Sequence, residues 1–178
     1  MRHSYRSALL IAALGLGLPV AAADLSRTKV LETFSAYEAL NADFVSSVAA
    51  GHGSSGKTYW VLRKEAEVFA EGPFTKSLAL AKRLVCERKD AEVVAALFRV
   101  TSATSNSASE QTAWALGRMF VCQPNLVATE FKALQPHMQP PVYGALEFGF
   151  ENTVFRKSSA HVVALRKKLH SLSPKGNP

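Results

Sequence analysis

The stretch from Gly51 to Thr58 contains the residue types that could hold a phosphate group. Its sequence is Gly-His-Gly-Ser-Ser-Gly-Lys-Thr. Glycines let a backbone wrap closely around an anion, a lysine can meet the terminal phosphates, and a threonine hydroxyl can hold a magnesium ion. On this interpretation Gly51, Gly56, Lys57 and Thr58 form a ligand-binding site.

Over these eight residues the chain resembles the phosphate-binding loop of P-loop nucleotidases, G-x-x-x-x-G-K-T. That resemblance implies a loop that follows a buried strand of a parallel sheet, and an aspartate after an apolar strand as second magnesium ligand. Residues 43–50 include two serines, and the sequence shows neither further apolar strands nor such an aspartate. The favoured interpretation is a linker between two helices, with Lys57 at the start of the second. Nucleotide-phosphate binding is the alternative, and no cofactor is predicted.

Other residues whose side chains could take part in catalysis or metal binding lack partners at a useful spacing. Ser54 and Lys57 match the S-x-x-K motif of penicillin-binding proteins and β-lactamases, but the Lys-Thr-Gly and Ser-Asp-Asn elements of that family are absent. The histidines form no metal-ligand spacing, so no metal site is predicted. Glu147 and Glu151 lie one helical turn apart, which suits acid–base work but equally suits ion pairs with nearby bases. The sequence favours a non-enzymatic protein without catalytic residues.

Two segments that end in cysteine resemble each other. Leu78–Cys86 (LALAKRLVC) and Trp114–Cys122 (WALGRMFVC) align at an offset of 36 residues. In both, apolar residues recur with helical spacing, and one position is small (Ala81 or Gly117), which lets another helix approach closely. A break and a second apolar-periodic run follow each copy, which is typical of helical hairpins in a solenoid. The alternative is two unrelated amphipathic helices of similar composition.

Cys86 and Cys122 occupy equivalent positions of these segments and are the only cysteines. An even cysteine count in an exported protein favours a bridge. Packed helix axes lie about 8–10 Å apart, whereas a disulfide needs its Cα atoms within about 7 Å. The sequence therefore predicts a Cys86–Cys122 disulfide whose residues face each other across a helix contact. The alternative is two buried thiols.

The first 23 residues have the features of a cleaved export signal. Arginines precede a 13-residue apolar run, Ala8–Val20, and Ala21–Ala23 offers a small-residue cleavage site. Thirteen apolar residues are too few to span a bilayer. We expect a Sec-type signal, cleavage after Ala23, and a periplasmic or secreted product. Residues 24–178 then form a single domain with 19 basic and 14 acidic residues, a net charge of +5.

Hydrophobic periodicity predicts an all-α protein of roughly eight helices packed as hairpins, in a short HEAT-like or other solenoid array. The first predicted helix is Ser26–Asn41, capped by Ser26. A helix over Thr58–Ala70 is predicted to end at Gly72-Pro73, and Asp90 to cap the helix after the first repeat copy. No segment shows the two-residue alternation of a strand.

The C-terminal stretch after Glu151 contains no acidic residue. Its cations suit an anionic membrane surface or an acidic partner, although cations also stabilise the end of a terminal helix. Nucleic acid is not expected, because aromatic residues do not alternate with these cations. The candidate patch consists of Arg156, Lys157, Arg166, Lys167 and Lys168.

These observations favour a periplasmic helical module that binds a protein partner, of the kind found among inhibitors and immunity proteins. This is a class-level analogy, because no motif names a partner. Two alternatives stay open. One is small-ligand or nucleotide-phosphate binding, or enzymatic activity, at residues 51–58. The other is peripheral attachment to an anionic membrane through the basic C-terminal helix.

Overall fold

All regular secondary structure in the described part of the chain is helical. A computed structural model describes residues 18–49, 57–104 and 110–174. These ranges contain no strand, which confirms the all-α prediction. Their elements are α1 (Leu18–Ala49), α2 (Lys57–Phe69), a π-helical turn (Ala70–Phe74), α3 (Thr75–Arg88), α4 (Ala91–Ala103), α5 (Gln111–Cys122), α6 (Pro124–Lys132), a short 3-10 helix (Pro136–Met138), α7 (Gln139–Thr153) and α8 (Ala160–His170).

The π turn joins α2 to α3 without interruption, so the predicted helix end at Gly72-Pro73 is wrong. Within an α-helix, proline lacks the N–H donor and its ring collides with the carbonyl four residues earlier. A π turn spaces its hydrogen bonds one residue further apart. Here the Thr75 N–H and hydroxyl both donate to the Ala70 carbonyl, the hydroxyl at 2.7 Å. With α2 and α3 counted as one rod, the described part contains seven separate helices.

α1 begins earlier than predicted, and it includes, as far as Ala49, the segment after Asn41 (residues 43–50) that was predicted as a possible helical continuation. It begins at Leu18, so Ser26 lies inside the helix and not at its N-cap. Pro19 lies in the first turn, where the missing N–H costs no hydrogen bond. Residues 1–17 of the predicted export signal lie outside the described residues, and cleavage after Ala23 stays a prediction.

Consecutive hairpins lie side by side. α3 packs against α5 and α5 against α7, while α4 packs against α6 and α6 against α8. The Thr75 and Gln111 side-chain oxygens are 3.0 Å apart where α3 and α5 begin, and Cys86 is bonded to Cys122 near their ends. Both pairs are 36 residues apart, so α3 and α5 run parallel and in register. That arrangement agrees with the predicted offset, and a full solenoid stays a prediction.

α5 and α7 cross with their backbones in direct contact. A Cβ atom added to Gly117 would lie 2.0 Å from the carbonyl carbon of Gly149. One added to Gly149 would lie 1.7 Å from the carbonyl oxygen of Ala113. The small residue in the second repeat copy therefore admits a neighbouring helix, as expected. Phe120 and Phe150 pack edge to face beside the crossing, with ring centroids 5.6 Å apart.

Asp90 fixes the start of α4 and ties it to α1. Its carboxylate accepts a hydrogen bond from the Val93 N–H at 3.2 Å, which confirms the predicted cap. The same carboxylate lies 2.7 Å from Nε of Arg27, and the Arg27 guanidinium also contacts Glu92. α1 is thereby held against the α3–α4 hairpin by polar contacts as well as by apolar packing.

Candidate interaction surface

α2 is rich in apolar side chains yet buries none of them fully. Six of its 13 residues are large and apolar. None of these six is buried, and Trp60, Val61 and Val68 are 53%, 47% and 56% exposed. A surface helix normally turns a single apolar stripe toward the core. The six residues are Tyr59, Trp60, Val61, Leu62, Val68 and Phe69.

One side of α2 packs on the second half of α1. The Tyr59 ring lies 5.1 Å from that of Phe44, and the Phe69 ring stacks on Tyr37 with centroids 6.0 Å apart. Within the described residues, the substantial contacts of α2 are with α1 and with the π turn. The opposite side of α2 therefore faces solvent, although three of the eight exposed residues of α2 are large and apolar.

The solvent-facing side of α2 is called the α2 face here. Successive residues of a helix are turned by about 100°, so the five residues of this face fall within an arc of about 140° and share one side of α2. A pair of opposite charges, Lys64 and Glu65, lies at its centre. Beside it, Arg63 lies 5.4 Å from the Trp60 ring centroid and pairs with Glu67 at 2.8 Å. The α2 face consists of Trp60, Val61, Lys64, Glu65 and Val68.

A shallow apolar groove continues the α2 face toward the π turn. Its volume is about 430 Å³, within the range of small-molecule and side-chain pockets. Pro73, which the π turn keeps within the helical rod, is one of the residues that line this groove. The groove is open to solvent and has room for a large side chain. It is lined by Leu40, Lys64, Glu65, Val68, Phe69 and Pro73.

Of the five cations in the predicted basic patch, two make polar contacts with neighbouring helices and three are exposed. Arg166 donates from Nε and Nη2 to the two carboxylate oxygens of Glu151, each at 2.7 Å. These hydrogen bonds hold the pKa of the Glu151 carboxyl below its usual value. Lys168 contacts Asn125 through its ammonium group. Arg166 and Lys168 thus tie α8 to α7 and α6, while Arg156, Lys157 and Lys167 are exposed.

The turn between α7 and α8 adds an aromatic residue that the sequence analysis did not identify. Phe155 is 66% exposed, and the Arg156 guanidinium lies 5.0 Å from its ring centroid. Arg156 has a left-handed backbone conformation, with φ of 60°. Val163, one turn into α8, is 55% exposed. The sequence feature that could have indicated this surface is Phe155 directly before Arg156 and Lys157, between two segments of helical periodicity.

Glu147 and Glu151 have different hydrogen-bond partners. Glu147 accepts a hydrogen bond from the Tyr143 hydroxyl at 3.1 Å, whereas Glu151 is bonded to Arg166. Burial, with the nearby Glu147 carboxylate as a further cause, raises the pKa of Tyr143. The described residues contain no group of three or more His, Cys, Asp or Glu side chains placed to hold a metal ion.

The predicted phosphate loop, from Gly51 to Gly56, lies outside the described residues. Lys57 begins α2 and Thr58 is exposed in its first turn, as expected for a linker that leads into a helix. Phosphate binding by Gly51, Gly56, Lys57 and Thr58 stays an untested alternative.

The predicted disulfide joins α3, which continues the α2 rod, to α5. The Sγ atoms of Cys86 and Cys122 are 1.98 Å apart and their Cα atoms 5.5 Å, inside the limit that a bridge requires. Among the described helices, none combines the length and the apolar content that crossing a bilayer requires.

No family model, no curated protein and no solved structure matches this chain.

Proposed function

We propose that this protein is an exported helical module that binds another protein through the α2 face. The observation that supports the proposal is that α2 contains six large apolar residues and buries none of them. Clustered exposed apolar residues on a soluble protein mark interaction sites. Tryptophan is among the residues that contribute most to binding energy, so Trp60 is the expected centre of the interface.

The support beneath the α2 face favours binding without rearrangement. α2 continues through the π turn into α3, and α3 is bonded to α5 through Cys86 and Cys122. A surface already held in its binding conformation loses less conformational entropy when a partner docks. A rigid, disulfide-linked exported module fits the class of inhibitors and immunity proteins, which present a fixed surface to their target.

The test is affinity capture with the oxidised chain from Asp24 onward, using periplasmic extracts of the source organism and of competing strains. We expect a stoichiometric partner to be retained by the unmodified chain and lost with Trp60→Asp. Val163→Asp is the matched control, because Val163 is similarly exposed but lies on α8. A partner retained equally by Trp60→Asp would overturn the proposal that the α2 face is the binding surface.

A second candidate function is contact with an anionic membrane through the α7–α8 turn. The exposed Phe155 beside Arg156 and Lys157 favours it, because a partly inserted aromatic ring and cations together attach proteins to anionic lipid. We expect the protein to sediment with phosphatidylglycerol-containing vesicles at low salt, but not with phosphatidylcholine vesicles. Phe155→Ala and a high-salt buffer should each weaken binding. Failure to sediment at low salt would remove this candidate.

A further inference from the structure

We infer that α8 lies flat on an anionic membrane, so that the α2 face, at the other end of the helical array, stays in water. The inference rests on the second candidate function, because it specifies the contact surface and the orientation of the same membrane-bound protein. The contact consists of the α7–α8 turn and the solvent-facing side of α8. In this orientation one molecule can hold a membrane and a protein partner at the same time.

The solvent-facing side of α8 follows from the residues that the fold covers. Val162, Leu165 and Leu169 are buried and belong to the hydrophobic core. Since successive residues of a helix are turned by about 100°, the exposed residues opposite them fall within an arc of about 120°. This arc is called the α8 face here, and it contains no acidic residue. It consists of Ala160, Val163, Ala164, Lys167 and His170.

The α8 face and the turn before it have a composition that suits the surface of an anionic bilayer. Lys167 lies one helical turn after Val163, so its stem can cover apolar surface while its ammonium group reaches lipid phosphates. The exposed Phe155, beside Arg156 and Lys157, extends this surface at the start of α8. Apolar groups bordered by cations are typical of helices that lie in the plane of a membrane.

The distribution of charge favours the same end of the molecule. From residue 152 to the C-terminus the sequence contains six basic residues and no acidic residue. Glu151 on α7 is bonded to Arg166, which lies on the flank of the α8 face, so its charge is matched. Residues 36–74, which include the second half of α1 and all of α2, contain five acidic and three basic residues. An anionic membrane therefore attracts the α8 end and not the α2 end.

The α2 face and the α8 face lie at opposite ends of the helical array. Within the described residues, α2 packs mainly on α1 and the π turn, whereas α8 packs on α6. The α3–α4 and α5–α6 hairpins separate these two ends. We therefore expect a bilayer in contact with the α8 face to leave Trp60 in water. A protein partner on the α2 face would then be held close to the membrane, at a raised local concentration for other membrane-bound molecules.

Brominated lipids, which quench the fluorescence of indole rings that reach them, test the orientation. The sequence contains two tryptophans, so Trp114→Phe leaves Trp60 as the only reporter. A second chain, with both tryptophans replaced by phenylalanine and with Val163→Trp, reports on the α8 face. On brominated phosphatidylglycerol vesicles at low salt, the second chain should lose most of its fluorescence and the first chain almost none. The reverse pattern would overturn the orientation.

Sedimentation with phosphatidylglycerol vesicles tests the residues of the α8 face. Lys167→Gln should weaken binding about fivefold at low salt, which is the contribution of one cation near an anionic surface. Val163→Asp should weaken it further, because it removes apolar contact and adds a negative charge. Lys82→Gln, which removes an exposed cation on α3, is the matched control and should leave binding unchanged. Circular dichroism verifies that each variant is folded.

Three outcomes separate this inference from the functions proposed above. Binding that is weakened by Phe155→Ala, but not by Lys167→Gln or Val163→Asp, overturns the contact of α8 and leaves the turn as the membrane site. Quenching of Trp60 on brominated vesicles overturns the orientation, because the α2 face then contacts lipid. A chain that does not sediment with the vesicles at low salt overturns both this inference and the second candidate function, while protein binding by the α2 face still stands.

Discussion

The α5–α7 crossing and α2 show two different fates of apolar helices in one chain. At the crossing, Gly117 and Gly149 bring two backbones into contact, and Phe120 beside them is fully buried. In α2, by contrast, no large apolar residue is buried, and Trp60 is more than half exposed. Among the described residues, α5 has packing partners on its apolar side, whereas α2 is covered on only one side. Apolar side chains on a helix therefore indicate that another surface covers them, but not whether that surface belongs to the same chain or to a partner.

The largest expected effect on stability comes from replacing an aromatic side chain by alanine at the α5–α7 crossing, compared with the same kind of replacement on α2. Phe120→Ala should lower the free energy of unfolding by about 3–5 kcal/mol, because it leaves a cavity beside Phe150. Trp60→Ala should change it by no more than about 0.5 kcal/mol, since exposed side chains contribute little to folding. Urea denaturation, measured at concentrations where the chain is monomeric, checks both values. A loss of several kcal/mol for Trp60→Ala would show that α2 is part of the folding core.

The disulfide should have the next largest effect. Replacing Cys86 and Cys122 by serine should lower the free energy of unfolding by about 2–4 kcal/mol, because the unfolded chain regains the freedom of the loop between them. The bridge lies between α3 and α5, so the variant also tests whether the α2–α3 rod keeps its position against α5 without this link. Denaturation of the unmodified chain with and without reductant is the control. An unchanged midpoint would mean that helix packing alone fixes α3 on α5.

Two glycines of α7 test the close approach at the crossing. Gly149→Ala should destabilise the protein by about 1–3 kcal/mol, because its Cβ would meet the backbone of Ala113 at 1.7 Å. Gly144→Ala is the matched control, since no atom lies within 4 Å of the added methyl group. It should stabilise the helix by about 0.5–1 kcal/mol. Thermal denaturation separates the two, and equal shifts for both would contradict the described crossing.

The sequence sufficed for those features that depend on local chemistry. Helical periodicity identified the helices, Asp90 was recognised as a cap by its type and position, and the shared 36-residue offset predicted that Cys86 and Cys122 face each other. Each of these depends on a few neighbouring residues or on one repeated spacing. Local rules of capping and periodicity apply to such features without knowledge of the tertiary structure.

The features that were missed depend on tertiary context. Gly72-Pro73 is a strong helix-end signal by local rules, but the π turn and the hydrogen bonds of Thr75 overrule it. The α2 face could not be recognised, because Trp60 and Val68 have the composition of core residues. Their exposure follows from the tertiary structure, in which α1 covers one side of α2 and these residues lie on the other. Arg166 appeared to belong to a free basic patch until the fold placed it against Glu151.

The Glu151–Arg166 pair should have the smallest effect, and it is measurable mainly through pH. Arg166 donates hydrogen bonds to Glu151 and lowers the pKa of that carboxyl in the folded state. Its stabilisation is therefore fully present above the ordinary glutamate pKa and is lost as pH falls through the lowered folded value. Because the Arg166 and Glu151 side chains are 35% and 42% exposed, solvent and salt screen the pair and the effect is small. Unlike the α5–α7 crossing, this contact of α8 should weaken at high salt.

A double-mutant cycle over pH isolates that contribution. Glu151→Gln and Arg166→Met should each lower the unfolding midpoint slightly at neutral pH, and the double variant should lower it by less than the two losses combined. The difference between Glu151→Gln and the unmodified chain should shrink below pH 4.5, the ordinary value for this carboxyl. It should also shrink at neutral pH in 1 M salt, where the Debye length is about 3 Å. A difference that persists at low pH would mean that Glu151 stabilises α7 and α8 by packing and not through its charge.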